Sequence, residues 1–307
     1  MDTTDTNIPQ TSAETSDSEV FIEVKSLEPG TFIAQRYRLV RQMGEDASGV
    51  SLLVEDVMWG EEIILKFLLP VASSQSIIRG LIHELRDARL IAHPNILHMH
   101  DLLLFGSAYA LSLEYFAGRS LAEDLKQGPL TIRRGMRIIR DICRGLHHAH
   151  QLGMVHRELT PAHILVNYAG GAKVVRNFMA TEQVSGRPRD ADILLRAPMY
   201  LAPEYMDQGI LETRANIYTL GIIMYEMFTG TPPYTHAEPV GLLLQHREGA
   251  PTPPRAHRPE LPADLEALIL RAMTVDPSKR FQNMDHLRRH LVALFPQVPA
   301  SGTFAPA

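Results

Sequence analysis

Near residue 114 the hydrophobic spacing of this chain passes from mainly strand-like to helical, and that change limits the fold more than any other feature. Before it, "YRLVRQM" (37–43), "VSLLVED" (50–56) and "EEIILKFLL" (61–69) are short apolar and β-branched runs that predict strands. The turn between the first two is rich in small residues, and "MWG" separates the second from the third. One helical stretch interrupts them: Ile77 to Ile91 carries apolar residues at 77, 78, 81, 82, 85 and 88 and stops at the breaker "HPN". After "EYFAGRS" the apolar positions fall three or four apart, at 132, 136, 139, 142, 146 and 149, with Thr131 as the N-cap and Gly153 closing the helix. Further helices are expected over Thr213–Thr229, ending at Gly230 before "TPPY", over Asp264–Thr274 and over Met284–Leu294. A strand-rich lobe with one helix therefore precedes a larger helical lobe, with a crossing at 114–118 as the natural hinge and cleft. No internal repeat is visible.

With 307 residues, 45% of them hydrophobic, the chain has enough apolar mass to bury a large core. The formal net charge is −5, but residues 1–24 hold six acids (Asp2, Asp5, Glu14, Asp17, Glu19, Glu23) and no Lys or Arg. The remainder thus carries a formal +1, which does not fit a nucleic-acid binder. Residues 1–28 are expected to be a disordered acidic leader, and 296–307 a flexible Pro/Ala/Gly tail. Between them, 29–295 form the domain, with the strand lobe over 37–113 and the helical lobe over 119–295. No stretch is long and apolar enough for a membrane span, and the leader lacks the pattern of a signal peptide, so the expected location is cytoplasmic. Cys143, the sole cysteine, lies on the apolar side of a helical pattern, as a buried and inert thiol does. Histidines 98 and 100, and 147, 148 and 150, lack the spacing of a metal site. Trp59, beside Gly60, reads as a surface hairpin residue.

Ten landmarks occur in order: "GEDASGV", "ILK", "HELRDARLIAHPNIL", "LEYFAGRSL", "HRELTPAHILV", "NFM", "APMYLAPE", "ANIYTLG", "GTPPY" and "DPSKRF". Together they resemble the eukaryotic-like (Hanks-type) Ser/Thr protein kinases of the bacterial branch, from about Tyr37 to Leu294. The resemblance implies an α+β, two-lobed kinase-like fold: a small antiparallel sheet with one helix, then a larger helical lobe. It places Gly44 and Gly49 in the phosphate loop, Lys66 at the α/β-phosphates and Glu84 as its helix partner; a purely structural Lys–Glu ion pair accounts for the last two equally. It puts Leu113 and Glu114 at the gatekeeper and hinge, and Leu165 on the floor of the adenine slot. His156 becomes a packing residue beneath Phe178, Glu204 and Arg280 an architectural salt bridge, and Asn216 a replacement for the Asp that anchors the catalytic loop. Arg157 would receive a phosphorylated Thr181 or Ser185, or tether Asp190 or Asp192.

The chemistry positions depart from the family. Glu158 stands where the catalytic Asp is expected, one methylene further out; a misplacement of about 1 Å costs on the order of a hundredfold. His163 replaces the metal-binding Asn, and Asn177 replaces the Asp of the metal motif, where a hard ion wants anionic oxygen. Met179 replaces the glycine of that motif, Thr160 the γ-phosphate lysine, and Ala197 the threonine beside it. Asp46 replaces the middle glycine of the phosphate loop and aims a negative charge at a triphosphate. Ile64 replaces the small alanine of the adenine slot, and Ser51 a valine.

These departures lead to the expectation of a pseudokinase: a non-catalytic regulatory or scaffold module that binds a protein partner, an active kinase or its substrate. No metal and no resident cofactor are expected. The alternative is a slow or unconventional Ser/Thr kinase that uses Lys66 and Glu158 with ATP and Mg²⁺ or Mn²⁺.

Overall fold

The computed structural model describes residues 24–46, 49–69, 78–80, 82, 85, 91–175, 178–180 and 198–296. They divide into two compact units, one within 1–92 and 97–116, the other comprising 93–96 and 117 onward.

In the first unit six strands form one antiparallel sheet: β1 (Phe32–Ile33), β2 (Tyr37–Asp46), β3 (Gly49–Asp56), β4 (Glu61–Leu68), β5 (Met99–Phe105) and β6 (Ala108–Glu114), in the order β1-β2-β3-β4-β6-β5. Strict alternation in "EEIILKFL" decides which side chains meet. Ile63, Leu65 and Phe67 join Val50, Leu52, Val54, Leu39 and Tyr37 in one buried cluster, while Ile64 and Lys66 take the opposite face. The turn after β3 leaves Trp59 72% exposed. Of the helix expected over 77–91, the described residues 78–80, 82 and 85 are helical, and Ile91 lies outside the helix.

Residues 24–28, expected within the leader, carry contacts to the sheet. Val24 is 2% exposed and packs with Ile33, Tyr37 and Leu39, joined by Leu27. Gly30 N–H donates to the Leu39 carbonyl and Leu39 N–H to the Thr31 carbonyl, so this segment is fastened to the sheet, with Val24 and Leu27 as its apolar anchors. Polar neighbours hid two apolar anchors that a window average cannot weigh singly.

The second unit contains β7 (Arg119–Ser120), α1 (Leu121–Leu125), α2 (Ile132–Gln151), β8 (Met154–His156), β9 (Ile164–Val166), β10 (Ala172–Val174), β11 (Phe178–Ala180), α3 (Pro203–Gln208), α4 (Thr213–Thr229), α5 (Pro239–Glu248), α6 (Pro254–His257), α7 (Ala263–Ala272) and α8 (Met284–Leu294). Thr131 caps α2 by accepting from Arg134 N–H, and Met136, Ile139, Ile142, Leu146 and Ala149 form its buried face. Cys143 is wholly buried there. Helix α4 is buried on all sides, from Ala215 to Phe228, as an apolar helix without a polar face must be.

Residues 93–96 serve this unit although strands of the other flank them. Asn95 Nδ2 donates to the Ala172 carbonyl at 3.0 Å, Val174 N–H donates to the Asn95 carbonyl at 2.9 Å, and Ile96 bridges Val174. The backbone of Asn95 passes so close to Gly145 on α2 that a Cβ there would meet its carbonyl oxygen at 2.7 Å. The "HPN" that reads as a helix breaker is also a clamp.

Candidate functional site

In the first unit the β-ladder brings the expected nucleotide residues onto one face. Ser51 is opposite both Gly44 and Lys66, and Ile64 is opposite both Leu53 and Leu113. Direct cross-strand partners share a face with Cβ atoms about 5 Å apart. The isoleucine side chain therefore lies between two leucines, where the family keeps a small alanine. Glu114 is drawn to the sheet: its Oε2 accepts from His98 N–H at 3.0 Å, and its own N–H donates to the His98 carbonyl at 2.9 Å.

Gly49 allows the closest approach in this hairpin. An added Cβ would fall 1.8 Å from the Phe67 carbonyl oxygen, so no side chain fits without opening β3 from β4. Gly49 N–H donates to Asp46 Oδ1 at 3.2 Å, and Lys66 Nζ reaches Asp46 Oδ2 at 2.7 Å. Glu84, the expected partner of that lysine, lies outside the described residues.

In the second unit the loop 156–163 is held from below by Asn216 of α4. Asn216 Oδ1 accepts from His156 N–H at 2.9 Å, and Nδ2 donates to the His156 carbonyl at 2.7 Å. An aspartate could make the first bond but not the second, so the amide grips both ends of the same residue. The His156 ring is fully buried: Nε2–H donates to the Val175 carbonyl at 2.9 Å, and Nδ1 accepts from Glu158 N–H at 3.2 Å. Burial pushes this imidazole down to about 3, so it is a neutral structural group. Phe178 pairs with His156 in the β8–β11 ladder, and Met179 occupies an ordinary strand position opposite Val155.

Two of the replaced catalytic-loop residues bond to each other. Thr160 Oγ1 and His163 Nδ1 are 3.1 Å apart, and His163 N–H donates to the Thr160 carbonyl. The His163 imidazole is held below its ordinary range, by burial first, against the opposing pull of Glu158. It is therefore neutral near pH 7. Glu158 and Arg157 are half-buried, and Leu165 on β9 is half-exposed between the buried Ile164 and Val166. Besides the buried His156 and the Arg157 guanidinium, the described chemistry of this loop is the Glu158 carboxylate, the neutral His163 imidazole and the Thr160 hydroxyl.

Residues 37–292 match the protein kinase domain family. The chain belongs to that family. Among curated relatives it is 29% identical over 268 residues to serine/threonine-protein kinase PrkC of Bacillus subtilis, covering 87% of this chain and 41% of that protein. It is 28% identical over 269 residues to serine/threonine-protein kinase PknB of Mycobacterium tuberculosis, covering 85% and 43%. The chain thus spans about two fifths of the length of these relatives, and it is a member of the Hanks-type Ser/Thr kinase family. No described helix is long and apolar enough to cross a membrane.

The kinase fold accounts for the remaining contacts. Arg280, 1% exposed, donates from Nη1 and Nη2 to the two carboxylate oxygens of Glu204 at 2.7 and 2.8 Å. It also donates to the carbonyls of Thr274, Arg214 and Val275, tying α3, α4 and the loop after α7 together. Asn177, Ala197, Thr181, Ser185, Asp190 and Asp192 lie outside the described residues, as do the side chains of Phe178 and Met179. Sequence reasoning passed over an open cavity of about 420 Å³ lined by Lys126, Thr160, Pro161, Ala162, Tyr200 and Glu226, among others. Tyr200 O–H donates to Glu226 at 2.8 Å there. Neither residue carries a motif of its own; the cavity arises because α4 passes beneath the loop.

Proposed function

We propose that this kinase-family chain is a pseudokinase, a regulatory or scaffold module that binds a protein partner without transferring phosphate. The observation that supports it best is the Thr160–His163 hydrogen bond. Phosphoryl transfer relies on positioned charge around the γ-phosphate and its metal. At the two loop positions meant for a lysine and a metal-ligating amide stand a hydroxyl and a neutral imidazole that satisfy each other. Imidazole suits softer metals than Mg²⁺, so the described residues do not fit a magnesium–triphosphate. The open cavity beside Thr160 and Pro161 offers a concave surface for a segment of a protein partner, an active kinase or its substrate.

The second reading is a slow Ser/Thr kinase, favoured by Glu158, which keeps a carboxylate at the base position, and by the relatives named as kinases. Calorimetric titration of the chain with ATP, first alone and then with Mg²⁺ or Mn²⁺, separates the two. A non-catalytic module shows no metal-dependent heat. Metal-dependent binding overturns the assignment of residues 163 and 177 and favours the kinase.

A further inference from the structure

The first unit keeps two groups suited to a phosphate oxygen, the Lys66 ammonium and the Gly49 N–H, and a single carboxylate of the chain holds both. Asp46 Oδ2 lies 2.7 Å from Lys66 Nζ, and Oδ1 accepts from Gly49 N–H at 3.2 Å. A carboxylate and a phosphate offer the same paired anionic acceptors to an ammonium and a backbone N–H. The contact is built into the hairpin. Asp46 is the direct ladder partner of Gly49, Lys66 that of Ser51 two residues on, and Gly49 admits no side chain against Phe67. The neighbouring Glu45 is tied in turn: Lys25 Nζ is 2.6 Å from its carboxylate, and Lys25 follows the buried Val24. Both acids of the loop are thus paired to lysines from outside it.

We propose that Asp46 is a resident anion at the phosphate-binding lysine, which makes this site reject phosphate-bearing ligands. The inference rests on the family reading of Lys66 as the phosphate lysine, and it assigns Asp46 as the residue that sets ligand charge. A triphosphate that reaches Lys66 lies beside the Asp46 carboxylate or displaces it.

The test is equilibrium dialysis of the full chain against ATP and adenosine, without metal, for the wild type, Asp46→Asn, Asp46→Gly and Asp46→Asn/Lys66→Ala. Removing one like charge at contact distance, together with the pair it forms, raises ATP affinity by roughly tenfold or more. Adenosine affinity stays unchanged, and Lys66→Ala abolishes the gain. Equal ATP affinity across the wild type and both single variants, including no binding by any of them, overturns the proposal. So does an equal gain for adenosine, or a gain that survives loss of Lys66. Failure of the non-catalytic reading would be distinct, since it appears as phosphate transfer by the wild type whatever the Asp46 variants bind.

Discussion

Replacing Glu204 with glutamine removes one charge from a largely buried ion pair. The Arg280 side chain is fully buried, and that of Glu204 is 12% exposed. Breaking such a pair on one side typically costs about 3–5 kcal/mol, because the surviving charge stays desolvated without its counter-ion. Arg280 retains three backbone carbonyls at 2.6–3.0 Å and the face of the Tyr218 ring at 4.8 Å, which places Glu204→Gln near the lower end. For a domain of this size a loss of about 3 kcal/mol lowers Tm by roughly 6–12 °C. Thermal unfolding followed by circular dichroism measures the shift. A double-mutant cycle with Arg280→Met measures the coupling, expected at 2 kcal/mol or more, on the order found for contacting residues. A Glu204→Gln protein that melts within about 2 °C of the wild type would refute the reasoning, because the pair would then behave like an exposed one of about 0–1 kcal/mol.

Asn216→Ala strands the buried His156 N–H and carbonyl, and at about 1–3 kcal/mol per orphaned group it should cost roughly 2–6 kcal/mol in urea unfolding. Stability should also fall with acidity. Burial, the largest influence on each, pushes His150 down to about 4, His156 to about 3 and His246 to about 4. Their folded pKa values lie below the unfolded value near 6.5, so the unfolded chain binds more protons as pH drops. Stability is complete above pH 6.5 and declines through the window from 6.5 to about 4, by about 1 kcal/mol per histidine at pH 5.5; a Tm that stays flat from pH 7.5 to 5 would contradict these burials. Cys143, wholly buried with its thiol pushed upward by burial, should react with a thiol reagent only at the rate of unfolding, as followed by mass spectrometry.

Much of this fold is legible in the pattern of apolar residues. Thr131 before the run 132–149 fixes the start of α2, which ends at Gln151, two residues before the expected Gly153, and Gly230 after a continuous apolar stretch fixes the end of α4. Both are local signals carried by spacing and caps. The anchoring role of Val24 is not local, because its partners Ile33, Tyr37 and Leu39 are brought to it by the strand pairing. The same holds for Asn95, whose partners at 172 and 174 are nearly eighty residues away. At the site, the replaced residues at 158, 160 and 163 stand out in sequence, but their pairings do not. That Thr160 turns to His163, and that Asp46 reaches Lys66, depends on loop geometry no spacing rule supplies. Likewise the amide of Asn216 reads in sequence only as a replacement for the anchoring Asp, until its donor is seen on the His156 carbonyl.

The central claim is that this kinase-family chain does not transfer phosphate, and the direct measurement is transfer from γ-labelled ATP to itself and to a general protein acceptor, with Mg²⁺ and with Mn²⁺. Glu158→Ala serves as the control, since Glu158 is the one carboxylate at the base position. The account predicts that wild-type label equals that of Glu158→Ala under both metals. Label that accumulates in the wild type and disappears in Glu158→Ala would contradict it.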